Sequence, residues 1–248
     1  MRKTKIFVTL GPSTSSRGMI LRLIKAGVDG FRLNFSHGTY EEKEHLIKTI
    51  REIEERKNLL IPIIGDLQGP VVRIGKIEDL PVKKGDIVFL INSETGNSKE
   101  REIPIPNEKF YDLIEEDDVV LIESGRVMLH VRKILDTKIE AEALIDGVIK
   151  SNKTVAIKDK DIPLTTLSTK DIMDVKFAVE KDLDYIGLSF VRSTRDIRAL
   201  RELLESLDGS EIRILSKIET KRSVESLRQI VKESDAILVA RGDLAIYY

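Results

Sequence analysis

The chain of 248 residues balances 41 Lys and Arg against 42 Asp and Glu, and this formal net charge of -1 provides no long-range attraction to nucleic acid or an anionic membrane. The absence of cysteine excludes disulfides, thiolate nucleophiles and zinc–thiolate sites together. The apolar run over residues 6–10 is too short for a signal peptide and no run reaches membrane-spanning length, so a soluble cytoplasmic protein is expected.

From residue 5 to residue 67, short β-branched runs alternate with amphipathic helical patterns. In the first helical pattern Met19, Leu23 and Ile24 share one face, and Gly27 ends the helix. This alternation is typical of βα units in a parallel sheet. It predicts strands over residues 5–10, 30–36 and 60–67, and helices over residues 16–26 and 40–57.

The helical period disappears between residues 72 and 158. Alternating apolar and polar residues take its place, as in 86–90 and 127–131, and the alternating runs are separated by Gly, Asn and Pro. We interpret residues 72–158 as an inserted small β-rich domain. The flanking segments 1–71 and 159–248 then form one domain.

The βα alternation resumes after the insertion. Helices are predicted over residues 169–181, 194–206 and 221–232, and strands over residues 184–190, 212–218 and 236–241. This gives six strands of the βα type, whereas a closed (β/α)8 barrel has eight. We therefore expect an incomplete TIM barrel of about six βα units.

An incomplete barrel leaves two sheet edges open, and monomers tolerate open edges poorly. We therefore expect self-association into a homo-oligomer, specifically a dimer that covers the gap. Charged residues make up 33% of the chain, which favours an ion-pair-rich surface of the kind found in thermophiles.

Polar side chains collect at the ends of four predicted strands, where buried strands are normally apolar. The second strand places Arg32, Asn34 and Ser36 on one face, and Asp66 ends the third. Each feature also has an ordinary explanation, such as a solvated edge strand or a turn carboxylate. Together they predict an active site at the carboxyl ends of the strands.

The last two predicted strands carry the most informative of these polar groups. Lys217 and Glu219 point to one face of their strand by alternation, and Asp243 follows the next strand. A structural ion pair and a helix cap are the ordinary alternatives. Burying an ammonium beside carboxylates is costly unless a ligand or metal completes their coordination, so a site that binds a ligand or a metal is the functional interpretation.

Common nucleotide and metalloprotease signatures are absent. The sequence contains no G-x-x-x-x-G-K-[ST], no G-x-G-x-x-G and no H-E-x-x-H. Three histidines are scattered along the chain, and His37 lies beside the polar face of the second strand. A lone histidine is more often a surface residue than a base, so His37 is only a secondary candidate.

Six segments together resemble the motifs of pyruvate kinases in order and spacing, over essentially the whole chain. They are Thr4-Lys5-Ile6 with Gly11-Pro12-Ser13, Arg32-Leu33-Asn34-Phe35-Ser36-His37-Gly38, Asp66-Leu67-Gln68-Gly69-Pro70, Leu188-Ser189-Phe190-Val191-Arg192, Ser216-Lys217-Ile218-Glu219 and Val239-Ala240-Arg241-Gly242-Asp243-Leu244. The resemblance implies phosphoryl transfer from phosphoenolpyruvate to ADP, giving pyruvate and ATP. It also implies Mg²⁺ or Mn²⁺ and K⁺ as cofactors, and that the inserted domain is a small β-barrel lid.

The resemblance also implies a role for each matching residue. The implied catalytic residues are Lys217 and Arg32; the substrate-binding residues Arg32, Arg73, Lys217, Gly242 and Asp243; and the nucleotide-binding residues Asn34, His37 and Arg73. The implied Mg²⁺ ligands are Glu219 and Asp243, and the implied K⁺ ligands are Asn34, Ser36, Asp66 and the carbonyl of Leu67. Planar arginine forks suit phosphate oxygens, and an all-oxygen cage suits a hard cation.

The sequence departs from the family pattern at several places. Glu123-Ser124-Gly125 stands where the family has Asp-Asp-Gly, Val71 stands where it has Glu or Lys, and its Gly-Val-Asn-Leu-Pro-Gly segment is absent around residues 153–163. The expected chain is a shortened form without the last two barrel strands and the carboxy-terminal domain. Two alternatives to the kinase stay open. One is a metal-dependent lyase or aldolase acting on a pyruvate or oxaloacetate enolate; the other is a non-catalytic barrel fragment that binds a phosphorylated ligand or a partner chain.

Overall fold

A computed structural model describes residues 3–242 and residue 244. The chain divides into two compact units. Among the described residues, the first comprises 3–69, 166–218 and 226–239, and the second comprises 70–165, 219–225, 240–242 and 244. Each unit is described by itself below.

The elements follow one another in chain order. The strands are β1 (Phe7–Thr9), β2 (Gly30–Asn34), β3 (Ile63–Asp66), β4 (Val72–Arg73), β5 (Leu80–Val82), β6 (Ile87–Ile91), β7 (Glu102–Pro104), β8 (Val119–Ile122), β9 (Val127–Ile134), β10 (Ile139–Ala143), β11 (Gly147–Ile149), β12 (Thr154–Ile157), β13 (Tyr185–Leu188), β14 (Arg213–Ile218) and β15 (Ala236–Val239). The helices are α1 (Arg17–Lys25), α2 (Tyr40–Lys57), α3 (Glu108–Leu113), α4 (Thr169–Glu180), α5 (Thr194–Ser206), α6 (Lys221–Glu225) and α7 (Leu227–Glu233).

The first unit is built on one six-stranded parallel sheet. Its strands lie in the order β1-β2-β3-β13-β14-β15, so spatial neighbours are also consecutive βα units of this domain. Every pairing in the sheet is parallel. All the strands therefore end at the same edge, which is where barrel enzymes place their active sites.

Local sequence signals fix the helices of this unit. Thr39 caps α2, and Glu42 returns a hydrogen bond to the Thr39 amide in a reciprocal capping box. Ser168 with Asp171 forms the same motif at α4. Asn58 ends α2 in the left-handed conformation, which asparagine adopts more readily than most residues. These capping residues thus define where the predicted helices begin and end.

The second unit contains an antiparallel-rich sheet of seven strands in the order β4-β12-β8-β9-β10-β6-β7, together with the pair β11-β5. Alternate residues of its strands point into one apolar core that includes Val88, Leu90, Leu129 and Val131. The expected β-rich character of the inserted segment is therefore confirmed. Within residues 3–242 and 244, no helix has the length and apolar character needed to cross a membrane.

Two predicted elements were wrong in detail, and one helix was not predicted. The segment 221–232 forms two helices separated at Ser226, and the predicted last strand stops at Val239, after which Arg241 and Gly242 are helical. The insertion also contains α3, which begins after Asn107. A helix of six residues is too short to establish a period in the sequence, whereas its asparagine cap is a recognisable start signal.

Candidate active site

The carboxyl ends of β2, β3, β13 and β14 bring together four polar residues of the first unit. Arg32 lies in β2, Asp66 ends β3, Ser189 follows β13 and Lys217 lies near the end of β14. Asp66 is in register with Asn34 on one side and Gly187 on the other. The parallel sheet therefore gathers residues that are far apart in sequence.

Asp66 connects the two cations of this group. Its Oδ2 accepts hydrogen bonds from the Arg32 guanidinium, with 2.8 Å to Nε and a second, shorter contact to Nη2. Its Oδ1 lies 3.3 Å from Lys217 Nζ. Arg32 Nη1 also donates to Thr9 Oγ1 at 2.9 Å. One buried carboxylate thus contacts a buried ammonium and a partly exposed guanidinium, which lowers the cost of burying the ammonium.

Lys217 is 9% exposed, and its ammonium makes a second contact. Nζ donates to Ser189 Oγ at 2.8 Å, and the same hydroxyl donates to the carbonyl of Leu67 at 2.7 Å. Sequence reasoning quoted Ser189 within a motif but gave it no role. The available signal was its position, a polar residue directly after a buried strand.

A tight turn follows Asp66, and a hydrogen bond to a buried aspartate of α4 holds this turn in place. Gly69 has a φ of +75°, and its amide donates to Asp171 Oδ1 at 3.0 Å. Asp171 is fully buried, and its other oxygen accepts hydrogen bonds from the amide and hydroxyl of Ser168. Sequence reasoning missed Asp171, which fixes the segment that carries Asp66 and Leu67.

The residues predicted to hold K⁺ lie close to one another in the sequence and in the register between β2 and β3. Asn34 Oδ1 accepts the amide of Ser36 at 2.9 Å, and Asn34 pairs with Asp66 across the sheet. Within the described part of the chain, Asp66 Oδ1 is buried and accepts no hydrogen bond, although Lys217 Nζ lies nearby. A buried carboxylate oxygen that accepts no hydrogen bond, together with further side-chain and carbonyl oxygens, fits a hard monovalent cation.

The predicted Mg²⁺ ligands are only partly within the described residues. Glu219 directly follows β14, is 1% exposed and belongs to the second compact unit, whereas Asp243 lies outside the described residues. Across residues 3–242 and 244, no three His, Asp or Glu side chains converge in a way that could hold a metal. A single buried carboxylate still fits Mg²⁺, which keeps several waters and takes phosphate oxygens from its substrate.

The remaining predicted residues are placed as follows. His37 is exposed, and its carbonyl accepts a hydrogen bond from Lys43 Nζ at 2.6 Å. Arg73 lies in β4 of the second unit, where Nη1 donates to the carbonyl of Asn152 at 2.7 Å. Gly242 is exposed. The nucleotide-binding and substrate-carboxylate roles of these residues stay predictions.

Comparison with known proteins gives consistent matches. The family model for the barrel domain of pyruvate kinase matches residues 1–247. A pyruvate kinase of Chlamydia muridarum is 39% identical over 245 residues, which are 98% of this chain and 51% of that protein. A pyruvate kinase of Thermococcus litoralis is 33% identical over 246 residues, again 98% of this chain and 51% of that protein. The chain therefore spans about half the length of the curated relatives it matches.

A solved structure agrees with these sequence matches. The crystal structure of pyruvate kinase from Pyrobaculum aerophilum superposes with a TM-score of 0.90 at 34% identity, over 99% of this chain and 54% of that one. The predicted incomplete TIM barrel with an inserted β-rich domain is confirmed. The motif resemblance, the fold and the matched residues agree, and the chain belongs to the pyruvate kinase family.

Proposed function

We propose that the chain takes part in phosphoryl transfer from phosphoenolpyruvate to ADP, giving pyruvate and ATP. The observation that carries the proposal is the cluster in which the buried Lys217 and the partly exposed Arg32 share the carboxylate of Asp66. Phosphoryl transfer needs positioned cations more than covalent chemistry, because charge spreads over the oxygens of the moving group. Membership of the pyruvate kinase family supports the same reaction in general terms.

The chain's own residues would act by position and charge. In the reaction, the bond from phosphorus to the enolate oxygen breaks and a bond to a terminal oxygen of ADP forms, after which the enolate takes up a proton. Lys217 would stabilise the oxygens of the group in transfer. The Arg32 side chain is 29% exposed. Its guanidinium would exchange part of its contact with Asp66 for a contact with the substrate phosphate.

Two cations complete the proposal. Glu219 and Asp243 would hold Mg²⁺ or Mn²⁺, which supplies charge neutralisation for the phosphoryl group and for the enolate. Asn34, Ser36, Asp66 and the carbonyl of Leu67 would hold K⁺. Both assignments rest on the motif match together with the burial of Glu219 and Asp66.

Further parts of the proposal concern the substrates. The backbone at Gly242 and Asp243 would receive the substrate carboxylate, and Arg73 would contact phosphate. Asn34, His37 and Arg73 would contact the nucleotide, and the inserted unit would serve as its lid. A cytoplasmic location, a thermophilic source and a homodimer stay predictions of the sequence.

A coupled assay with phosphoenolpyruvate, ADP, Mg²⁺ and K⁺ tests the proposed function. Lys217→Met removes the ammonium beside the transferred group, so we expect turnover to fall on the order of 100- to 1,000-fold. Lys48→Met is the matched control, because Lys48 is exposed on α2. Its turnover should equal that of the unmodified chain.

Two outcomes would contradict the proposal. One is full turnover by Lys217→Met. The other is the absence of turnover by the unmodified chain at every concentration of salt and metal. Decarboxylation of oxaloacetate in that second case would favour the lyase alternative.

A further inference from the structure

Ser189 occupies a connecting position between two parts of the candidate active site. It directly follows β13 and is 3% exposed. Its Oγ donates to the carbonyl of Leu67 at 2.7 Å and accepts from Lys217 Nζ at 2.8 Å. A hydroxyl has a single proton to donate, so the bond to Leu67 directs the acceptor lone pairs of Ser189 toward Lys217.

The Lys217 ammonium depends on directional contacts to hold one position. A lysine side chain has a flexible four-carbon stem, and fixing it costs rotamer entropy. The contact with Asp66 Oδ1 at 3.3 Å is longer and is not a hydrogen bond, whereas the contact with Ser189 is a well-formed one. Of these two contacts, the one with Ser189 supplies direction and the one with Asp66 supplies charge.

The hydroxyl itself is held by the fold. A Cβ added to Gly69 would come within 2.8 Å of Ser189 Cβ, so the Gly69 turn packs directly against Ser189. Asp171 holds that turn through the Gly69 amide. The position of Ser189 is thus set by β13 and the Gly69 turn, independently of where the Lys217 ammonium lies.

We propose that Ser189 is a positioning residue that aims the Lys217 ammonium at the phosphoryl group in transfer. A neutral acceptor suits this task, because it orients the ammonium without neutralising it, whereas another carboxylate would compete with the phosphoryl oxygens. This inference rests on the proposed function for its catalytic consequence. Its structural part concerns only the contact between Ser189 and Lys217.

The first test measures that contact without any turnover. In the nuclear magnetic resonance spectrum of the ¹⁵N-labelled chain, the Lys217 ammonium signal is assigned by its loss in Lys217→Met. Ser189→Ala removes the acceptor, so we expect the Lys217 ammonium protons to exchange with solvent on the order of tenfold faster. Ser189→Thr keeps the hydroxyl and should restore slow exchange.

A matched control separates this effect from general loss of a hydroxyl. Ser151 also donates one hydrogen bond, to the carbonyl of Ile77 at 2.8 Å, and accepts one, from the Ile77 amide at 2.9 Å. Ser151→Ala should therefore cost a similar number of hydrogen bonds while leaving Lys217 exchange unchanged. Equal exchange rates in Ser189→Ala and Ser151→Ala would overturn the proposal.

The second test measures catalysis. Displacing the ammonium should lower kcat on the order of 10- to 100-fold in Ser189→Ala with little change in the KM for ADP, and Ser189→Thr should recover most of it. If Ser189→Ala does not fold, Ser189→Cys keeps the shape of the side chain, slightly enlarged, with a weaker acceptor. Unchanged ammonium exchange in Ser189→Cys would then overturn the proposal. Failure of the proposed function would appear separately, as an inactive unmodified chain with the exchange effect intact.

Discussion

Asp66 is the residue on which the electrostatics of the candidate site depend. Its two oxygens face different cations, Oδ2 toward Arg32 and Oδ1 toward Lys217. The Lys217 ammonium could not be buried at this sheet edge without a carboxylate nearby, because desolvation of an unpaired charge costs several kcal/mol. Asp66, which is also a proposed K⁺ ligand, therefore holds Arg32 and Lys217, the residues proposed to contact phosphate, in this arrangement.

Gly69 is the neighbouring residue whose backbone allows this arrangement. Its φ of +75° is rarely adopted by residues with a side chain, and an added Cβ would lie 2.8 Å from Ser189 Cβ and 2.9 Å from Phe190 Cδ2. Both contacts are shorter than Cβ atoms tolerate. The turn thus requires glycine for two independent reasons.

Gly69→Ala should therefore lower the free energy of unfolding by about 3 kcal/mol, from left-handed backbone strain and overpacking combined. Gly85→Ala is the control, since Gly85 has a φ of +90° with open space around its added Cβ. It should lose only about 1 kcal/mol, the backbone contribution alone. Urea unfolding followed by circular dichroism measures both, and equal losses would contradict the close packing of Gly69 against Ser189.

At the scale of elements, α5 begins with a buried carboxylate that organises its first turn. Asp196 Oδ2 accepts the amides of Arg192 and Ser193 at 2.8 and 2.9 Å, and Oδ1 accepts the Thr166 hydroxyl at 2.6 Å. Burial by itself would raise the pKa of Asp196, but these hydrogen bonds outweigh burial and the pKa is lowered. The carboxylate is therefore stabilised in its ionised form in the folded chain.

The lowered pKa of Asp196 predicts that its contribution to the stability of the folded chain, at the start of α5, is lost in acid. Above about pH 4, the ordinary aspartate pKa, both states are ionised and the contribution to stability is fully present. As the pH falls from there through the lower folded-state pKa, the unfolded chain takes up the proton first and the contribution is lost. Asp196→Asn should thus be less stable by about 1–3 kcal/mol at pH 7, with the difference shrinking by pH 3.

Urea unfolding at the two pH values measures this difference. Glu202→Gln is the matched control, because Glu202 is exposed on the same helix. Its stability should follow that of the unmodified chain at both values. A difference for Asp196→Asn that is equal at pH 7 and pH 3 would show that the Asp196 carboxylate is not the acid-sensitive group.

The elements also show what sequence patterns can and cannot predict. All six parallel strands were predicted because alternation between strand and helix periods is a local property, and Arg32, Asp66 and Lys217 were found because they interrupt it. Ser189 and Asp171 received no role, since each acts through a hydrogen bond to a residue 122 or 102 positions away. Such contacts exist only once the strands are side by side.

At the scale of the whole molecule, β15 forms one edge of the sheet in the first unit. β15 pairs with β14 alone within the described residues, and all four of its apolar residues are at least partly exposed. Val239 is 57% exposed, and Leu227 and Val231 on α7 are also exposed. An apolar strand at the edge of a sheet is a template for pairing with another chain.

We expect the chain to self-associate as a dimer in solution, because dimerisation would bury this exposed edge. Sedimentation velocity at micromolar concentration should give twice the chain mass of 28.1 kDa. Val239→Lys places a charge on the edge strand and should yield a monomer with unchanged circular dichroism, because edge charges block strand pairing. Val148→Lys is the control, since Val148 is 41% exposed on β11 in the other unit, and it should stay dimeric. A monodisperse monomer of the unmodified chain would contradict the prediction, and a dimer that persists in Val239→Lys would place the contact elsewhere than β15.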